Sequence, residues 1–155
     1  MEAIVEQIHK SLLKKRKTIA VAESCTGGLL SSLLTKKAGS SEYFIGGVVA
    51  YSNKAKVDAL KIPRSVIVKN GAVSGPVVKL MAQRIRKLAK TDFGIGITGI
   101  AGPAGGTPRK PVGTVFIAVD SKDKRISGKF HFTGSRNAIR KKTALKSLEL
   151  LKRLL

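Results

Sequence analysis

Apolar positions along the chain switch between two periods, and each switch marks a change of element. Ile4, Ile8 and Leu12, with Val5 and Leu13 beside them, recur at helical spacing, and the basic run at residues 14–17 closes that helix with charge suited to its C-terminus. Residues 18–22 (TIAVA) then read as a short buried strand. Glu23-Ser24-Cys25-Thr26-Gly27-Gly28 and the apolar, serine-bearing run 29–34 follow directly, a strand–loop–helix passage of the kind in which α/β folds place ligands. Residues 44–50 predict a second strand ending at Tyr51-Ser52-Asn53, residues 66–68 a further short strand, and Asn70-Gly71 a turn. Ser74 has the placement of an N-cap, with Pro76 in the first turn and Val73 stapled to Val78, ahead of a helix through Leu80, Met81, Ile85 and Leu88. The outer face of that helix is expected to carry Lys79, Arg84, Arg86, Lys87 and Lys90.

Residues 93–98 (FGIGIT) predict a glycine-containing strand. The loop that follows, residues 99–113, holds five of the sixteen glycines and three of the five prolines. A loop of that length within a compact domain usually serves function or is disordered. Strand character resumes at residues 114–119, turns at 121–124, and returns at 126–132 with the weaker alternation of an antiparallel edge strand. A last helix starts near Ser135. Strands alternating with helices, plus one hairpin, argue a mixed sheet covered by helices on both faces, in one domain spanning residues 1–155.

Composition changes this picture chiefly through charge. Thirty Lys and Arg against nine Asp and Glu give +21, so the surface is expected to face an anionic partner or solvent. Residues 122–153 alone carry eleven Lys and Arg against Asp123 and Glu149, enough for nonspecific contact with a phosphate backbone. Seven aromatics and no tryptophan supply a poor stacking platform for single strands. One cysteine excludes an intrachain disulfide, and with two histidines it leaves too few soft ligands for a structural zinc site. No apolar run approaches the length of a membrane span, no targeting segment opens the chain, and a cytoplasmic location is expected.

Gly94 to Gly99 spells GxGxxG, with Asp120 near where a ribose-binding acid would stand. The context is wrong for a dinucleotide fingerprint: the glycines lie within the strand, and a proline-bearing loop follows where a helix is required. They read instead as sites of close backbone approach. No two acids pair in a loop with a histidine, which disfavours two-carboxylate hydrolysis and two-metal catalysis; His9 and His131 read as structural. Hydroxyls and lysines remain. Ser24 and Thr26 precede a helix N-terminus whose N–H groups suit an anion or developing oxyanion, although from placement alone one of them reads more simply as the helix cap. A serine without histidine needs another base, and a desolvated lysine is the known substitute. Lys54 and Lys56 follow the end of the second strand and reach Ser24 if the two strands are neighbours, though most lysines of so basic a chain are expected in solvent. Tyr51 reads equally as a packing residue with its hydroxyl at the rim.

Five motifs in order resemble the C-terminal domain of the competence/damage-inducible CinA family: Ala22 to Gly28, Ala50-Tyr51-Ser52-Asn53 with Lys56, Gly71 to Ser74, Thr98 to Pro103 with Gly105-Gly106, and Lys110 to Thr114. The family's stand-alone members are nicotinamide mononucleotide amidohydrolases. The resemblance implies a three-layer α/β/α sandwich with a mixed, mostly parallel sheet. It also implies hydrolysis of nicotinamide mononucleotide to nicotinate mononucleotide and ammonia, without metal or cofactor, and without the pyrophosphatase domain of longer relatives. Carried over residue by residue, it makes Ser24 the nucleophile, Lys56 the base and Tyr51 a hydroxyl that orients or relays the proton. Oxyanion donors would come from Thr26, Gly27 and Gly28, with Thr98, Gly99, Gly102, Gly105 and Gly106 lining the nucleotide. Arg140, in a stretch with Gly134 and Arg136, would meet the substrate phosphate. The family often has an acid where this chain has Lys54; a second cation facing the site would lower the Lys56 pKa by repulsion. The expected partners are an anionic nucleotide substrate and a second copy of the chain, with no membrane. A catalytically silent basic module that binds nucleic acid or a protein is the alternative, favoured by charge as the first is by intact Ser24, Tyr51 and Lys56.

Overall fold

The computed structural model describes residues 1–155, and its centre is a five-stranded sheet of order β2-β1-β3-β4-β5. In chain order the elements are α1 (Glu2–Lys15), β1 (Ile19–Glu23), α2 (Leu29–Leu34), a 3₁₀ turn (Ser40–Glu42), β2 (Phe44–Val49), α3 (Asn53–Leu60), α4 (Arg64–Asn70), α5 (Gly75–Ala89), β3 (Phe93–Gly99), β4 (Thr114–Ser121), β5 (Arg125–His131) and α6 (Arg136–Lys152). β1 pairs in parallel with β2 and β3, β4 runs antiparallel to β3, and β5 antiparallel to β4. Four of the five strands therefore point the same way, and the expected three-layer α/β/α sandwich with a mixed sheet is what the chain forms. No helix is long and apolar enough to cross a membrane.

Alternation along the strands divides the core in two. Ile19 and Val21 of β1, Ile95 and Ile97 of β3, and Val115, Ile117 and Val119 of β4 face α1, α2 and α6. Ala20 and Ala22 face the other layer, Leu60 and Ile62 at the end of α3, Ile67 of α4, and Val77, Met81 and Ile85 of α5. The second face is built from small residues so that α5 can lie almost on the sheet. A Cβ on Gly94 would strike the Ala82 carbonyl oxygen, and one on Gly96 would stand 2.6 Å from the Val78 carbonyl oxygen. That close approach, and no nucleotide fingerprint, accounts for Gly94 and Gly96, while Gly99 makes room for Val115 and the Thr114 carbonyl of β4.

Several expectations are corrected. Residues 66–68 lie in α4, entered from Pro63 and ended at Gly71 with φ 80°. The segment after Tyr51 is α3, capped by Ser52, whose hydroxyl accepts from the Ala55 N–H. Arg86 does not point outward: it joins Arg125 on the buried carboxylate of Asp120. Ser74 caps α5 as expected, its hydroxyl accepting from the Val77 N–H at 3.5 Å.

Candidate active site

The parallel strands β1, β2 and β3 all end at one edge of the sheet, and a cleft of about 270 Å³ opens there. Such strand ends are where α/β sheets leave a crevice for ligands. β1 delivers Ser24 and Cys25, β2 delivers Tyr51, α3 delivers Asn53 and Lys56, and β3 with its loop delivers Thr98, Gly99, Gly102 and Gly105. A larger groove of about 470 Å³ between α5 and the β4–β5 hairpin is lined by Ser127 and Lys79, but no hydrogen bond joins the two and Lys79 is exposed to solvent. No three His, Cys, Asp or Glu residues gather as a metal site.

Ser24 and Lys56, 32 residues apart, meet inside the protein. Lys56 Nζ donates to Ser24 Oγ at 3.2 Å, to the Ala50 carbonyl at 2.9 Å and, more weakly, to the Tyr51 carbonyl at 3.4 Å. Lys56 is only 2 % exposed and faces no carboxylate. Burial therefore pushes its pKa down from 10.5, because the ammonium loses hydration that no counter-ion replaces. The expected repulsion from Lys54 is not the cause: Lys54 turns outward and pairs with Asp58 one helical turn on. Cys25 lines the same cleft, but burial pushes its thiol up to about 12. A thiol held that high is no nucleophile near neutral pH, which leaves the hydroxyl of Ser24.

Neither Ser24 nor Thr26 caps α2. Glu23, fully buried at the end of β1, does so instead: its carboxylate accepts from the N–H groups of Gly28, Leu30 and Ser31 and from the Ser31 hydroxyl, at 2.7 to 3.1 Å. The Gly27 N–H donates to the Ser24 carbonyl. Two of the three N–H groups expected to hold an oxyanion are thus already occupied. The N–H groups of Cys25 and Thr26, directly after Ser24, make no hydrogen bond to another residue.

The remaining expected residues divide between wall and scaffold. Thr98, Gly99, Gly102 and Gly105 line the cleft, whereas Thr26, Gly27, Gly28, Gly106 and Arg140 stand outside it. Thr98 Oγ1 donates to the Ala72 carbonyl and Lys110 Nζ to the Val73 carbonyl, so both fix the segment that forms the opposite wall. Arg140 donates twice to the Thr26 carbonyl. It is Arg136, one turn earlier on α6, that enters the cleft, donating to the Tyr51 hydroxyl at 2.6 Å and to the Gly102 carbonyl at 2.7 Å. Neither acceptor is charged, so the guanidinium presents an unneutralised positive charge at the mouth. The resemblance assigned the phosphate to Arg140, but of these two arginines on one face of α6 only Arg136, a turn nearer the start of the helix, lies at the cleft.

The profile of the CinA C-terminal domain matches residues 1–155. The chain is 48% identical over 154 residues to a CinA-like protein of Thermotoga maritima and 46% identical over 154 residues to a putative competence-damage inducible protein of Thermoanaerobacter pseudethanolicus. It spans 99% of its own length in both matches but only 38% and 37% of those relatives. Among solved structures it is similar to competence/damage inducible protein CihA from Agrobacterium tumefaciens, at TM-score 0.96 and 34% identity over 99% of this chain and 94% of that one. It also resembles the competence damage-inducible protein A from Klebsiella pneumoniae, at TM-score 0.93 and 29% identity over 97% and 94%.

Proposed function

Because the chain belongs to the CinA C-terminal domain family, we propose that it is an amidase that hydrolyses the carboxamide of nicotinamide mononucleotide to nicotinate mononucleotide and ammonia. The observation that carries this reading is the buried 3.2 Å contact between Ser24 Oγ and a lysine whose proton is loosened by burial.

The chemistry follows from that pair. Neutral Lys56 takes the proton of Ser24, and the oxygen attacks the carboxamide carbon. The N–H group of Cys25, directly after Ser24 and at the cleft, receives the negative charge that develops on the carboxamide oxygen. Lys56 then returns its proton to the departing nitrogen, ammonia leaves, and Ser24 holds the nicotinoyl group as an ester. Water, deprotonated by Lys56, releases the acid and restores the serine. Tyr51, held by Arg136, sets its hydroxyl at the rim where the carboxamide nitrogen enters. Arg136 takes the substrate phosphate, as a guanidinium facing only neutral acceptors is suited to do.

Ammonia release from nicotinamide mononucleotide by the purified protein, beside Ser24→Ala and Lys56→Ala, tests the reading. Turnover by the wild type alone supports it. A folded wild type without turnover, whose binding to polyanions falls steeply with salt and ignores Ser24→Ala, would instead support a basic binding module.

A further inference from the structure

β2 and β5 are the two edges of the sheet, and they are defended differently. β5 carries Arg125, Lys129 and His131 along its exposed positions, the charged side chains that keep an edge from pairing with another strand. β2, Phe44-Ile45-Gly46-Gly47-Val48-Val49, carries no charge and no proline. Its exposed positions are Ile45, Gly47 and Val49. Of the six large apolar side chains left exposed on the protein, two belong to this strand: Ile45 at 53 % and Val49 at 48 %. The cause is local, because α2 is only six residues long and leaves the outer part of β2 uncovered.

The backbone of this edge is also unpaired. The Ala50 N–H donates to the Glu23 carbonyl, so strand alternation turns Val48 towards β1 and Gly47 and Val49 outward. No backbone or side-chain group bonds to the outward N–H or carbonyl of either.

We propose that β2 pairs antiparallel with β2 of a second copy of this chain, joining two five-stranded sheets into one of ten. A two-fold axis at Gly47 places Ile45 opposite Val49 of the second copy and Val49 opposite its Ile45, so β-branched pairs close over the outward hydrogen bonds. Two chains of +21 each repel wherever basic surfaces meet, and this uncharged strand lets their backbones approach within hydrogen-bond distance. The same register brings Glu42, which has no ion pair within its own chain, towards residue 52 of the second copy. There α3 begins, with Lys54 in its first turn. An unpaired carboxylate so meets a helix N-terminus, beside a lysine that Asp58 already holds, on both sides of the axis.

Sedimentation velocity between about 5 and 100 µM is the test, with Ile45→Lys as the variant and circular dichroism as the check on its fold. The expected wild-type mass is twice 16.5 kDa, the expected variant mass 16.5 kDa with an unchanged spectrum. Hydrogen exchange at the Gly47 and Val49 amides is expected to be slow in the wild type and fast in the variant. A wild type that sediments as a monomer throughout, leaving the edge to some other protein, overturns the pairing. So does an assembly that Ile45→Lys leaves intact, or fast exchange at both amides within a dimer.

Discussion

Replacing Lys56 separates a base from a mere positive charge. In Lys56→Ala the proton acceptor 3.2 Å from Ser24 Oγ is gone, and no other side chain is placed to substitute. Glu23 is adjacent in sequence, but its oxygens are filled by four donors. His9 packs against Tyr43 and His131 lies on β5, both away from the cleft. A positioned general base contributes roughly 10²- to 10⁴-fold. With no substitute in reach, the upper part of that range applies, a loss of about 10³- to 10⁴-fold or about 4–5.5 kcal/mol of barrier. Lys56→Arg is the sharper variant: it keeps the charge and the donors but cannot lose its proton near neutral pH, so it is expected to be about as inactive as alanine.

The pH profile carries the same information with a definite sign. Only the neutral amine is the base, so kcat/KM of the wild type rises with pH until it passes the lowered Lys56 pKa and then levels off, below the 10.5 of an ordinary lysine. Stability follows linked behaviour. The folded state binds this proton more weakly than the unfolded chain, so the contribution of Lys56 improves as pH rises from the lowered value towards 10.5, and that improvement is absent in Lys56→Ala. Ammonia release between pH 6 and 10, with urea unfolding of both proteins alongside, measures both. A flat wild-type profile together with Lys56→Arg within tenfold of wild type would refute the base.

Arg136→Ala is expected to raise KM for nicotinamide mononucleotide about 10- to 100-fold, the worth of a hydrogen bond to a charged group, while barely changing turnover of nicotinamide, which lacks the phosphate. Equal losses on both substrates would place the arginine's role in Tyr51 alone. Glu23→Ala strips the cap from α2 and leaves three N–H groups without an acceptor; a cost of about 2–3 kcal/mol lowers Tm by about 5–10 °C at this chain length, read by thermal circular dichroism. Gly94→Ala drives a methyl into the α5 backbone, whereas Gly46→Ala meets nothing within 4 Å. The first is expected to cost about 3 kcal/mol or more and the second less than 1 in urea unfolding.

The strands, the hairpin and the long helices were legible because their apolar residues keep one period over many positions. Residues 66–68 were not: three β-branched or aliphatic residues in a row carry no period, and Pro63 ahead of them starts a helix as readily as it ends one. α3 was invisible for a more telling reason. Its buried positions are Lys56 and Leu60, so a lysine stands where the amphipathic pattern calls for an apolar residue, and the helical signal is lost at the residue that matters most to the site. Glu23 left a usable trace, an acid just before a helix N-terminus. Spacing cannot rank Arg136 against Arg140, since both are four residues apart on one helical face.

The electrostatics of the cleft explain why so basic a chain can hold a lysine ready to act as a base. A carboxylate beside Lys56 would raise its pKa and keep it protonated. Glu23, beside Ser24, is withdrawn by four hydrogen bonds, and Asp58, two residues past Lys56, by Lys54. Burial then acts unopposed by any carboxylate. The thirty Lys and Arg give the surface a positive potential, which on the proposed reading would draw the anionic nucleotide towards the cleft. Raising salt weakens that steering while leaving the buried pair at 3.2 Å largely unscreened. The reading therefore requires kcat/KM to fall with ionic strength while kcat holds.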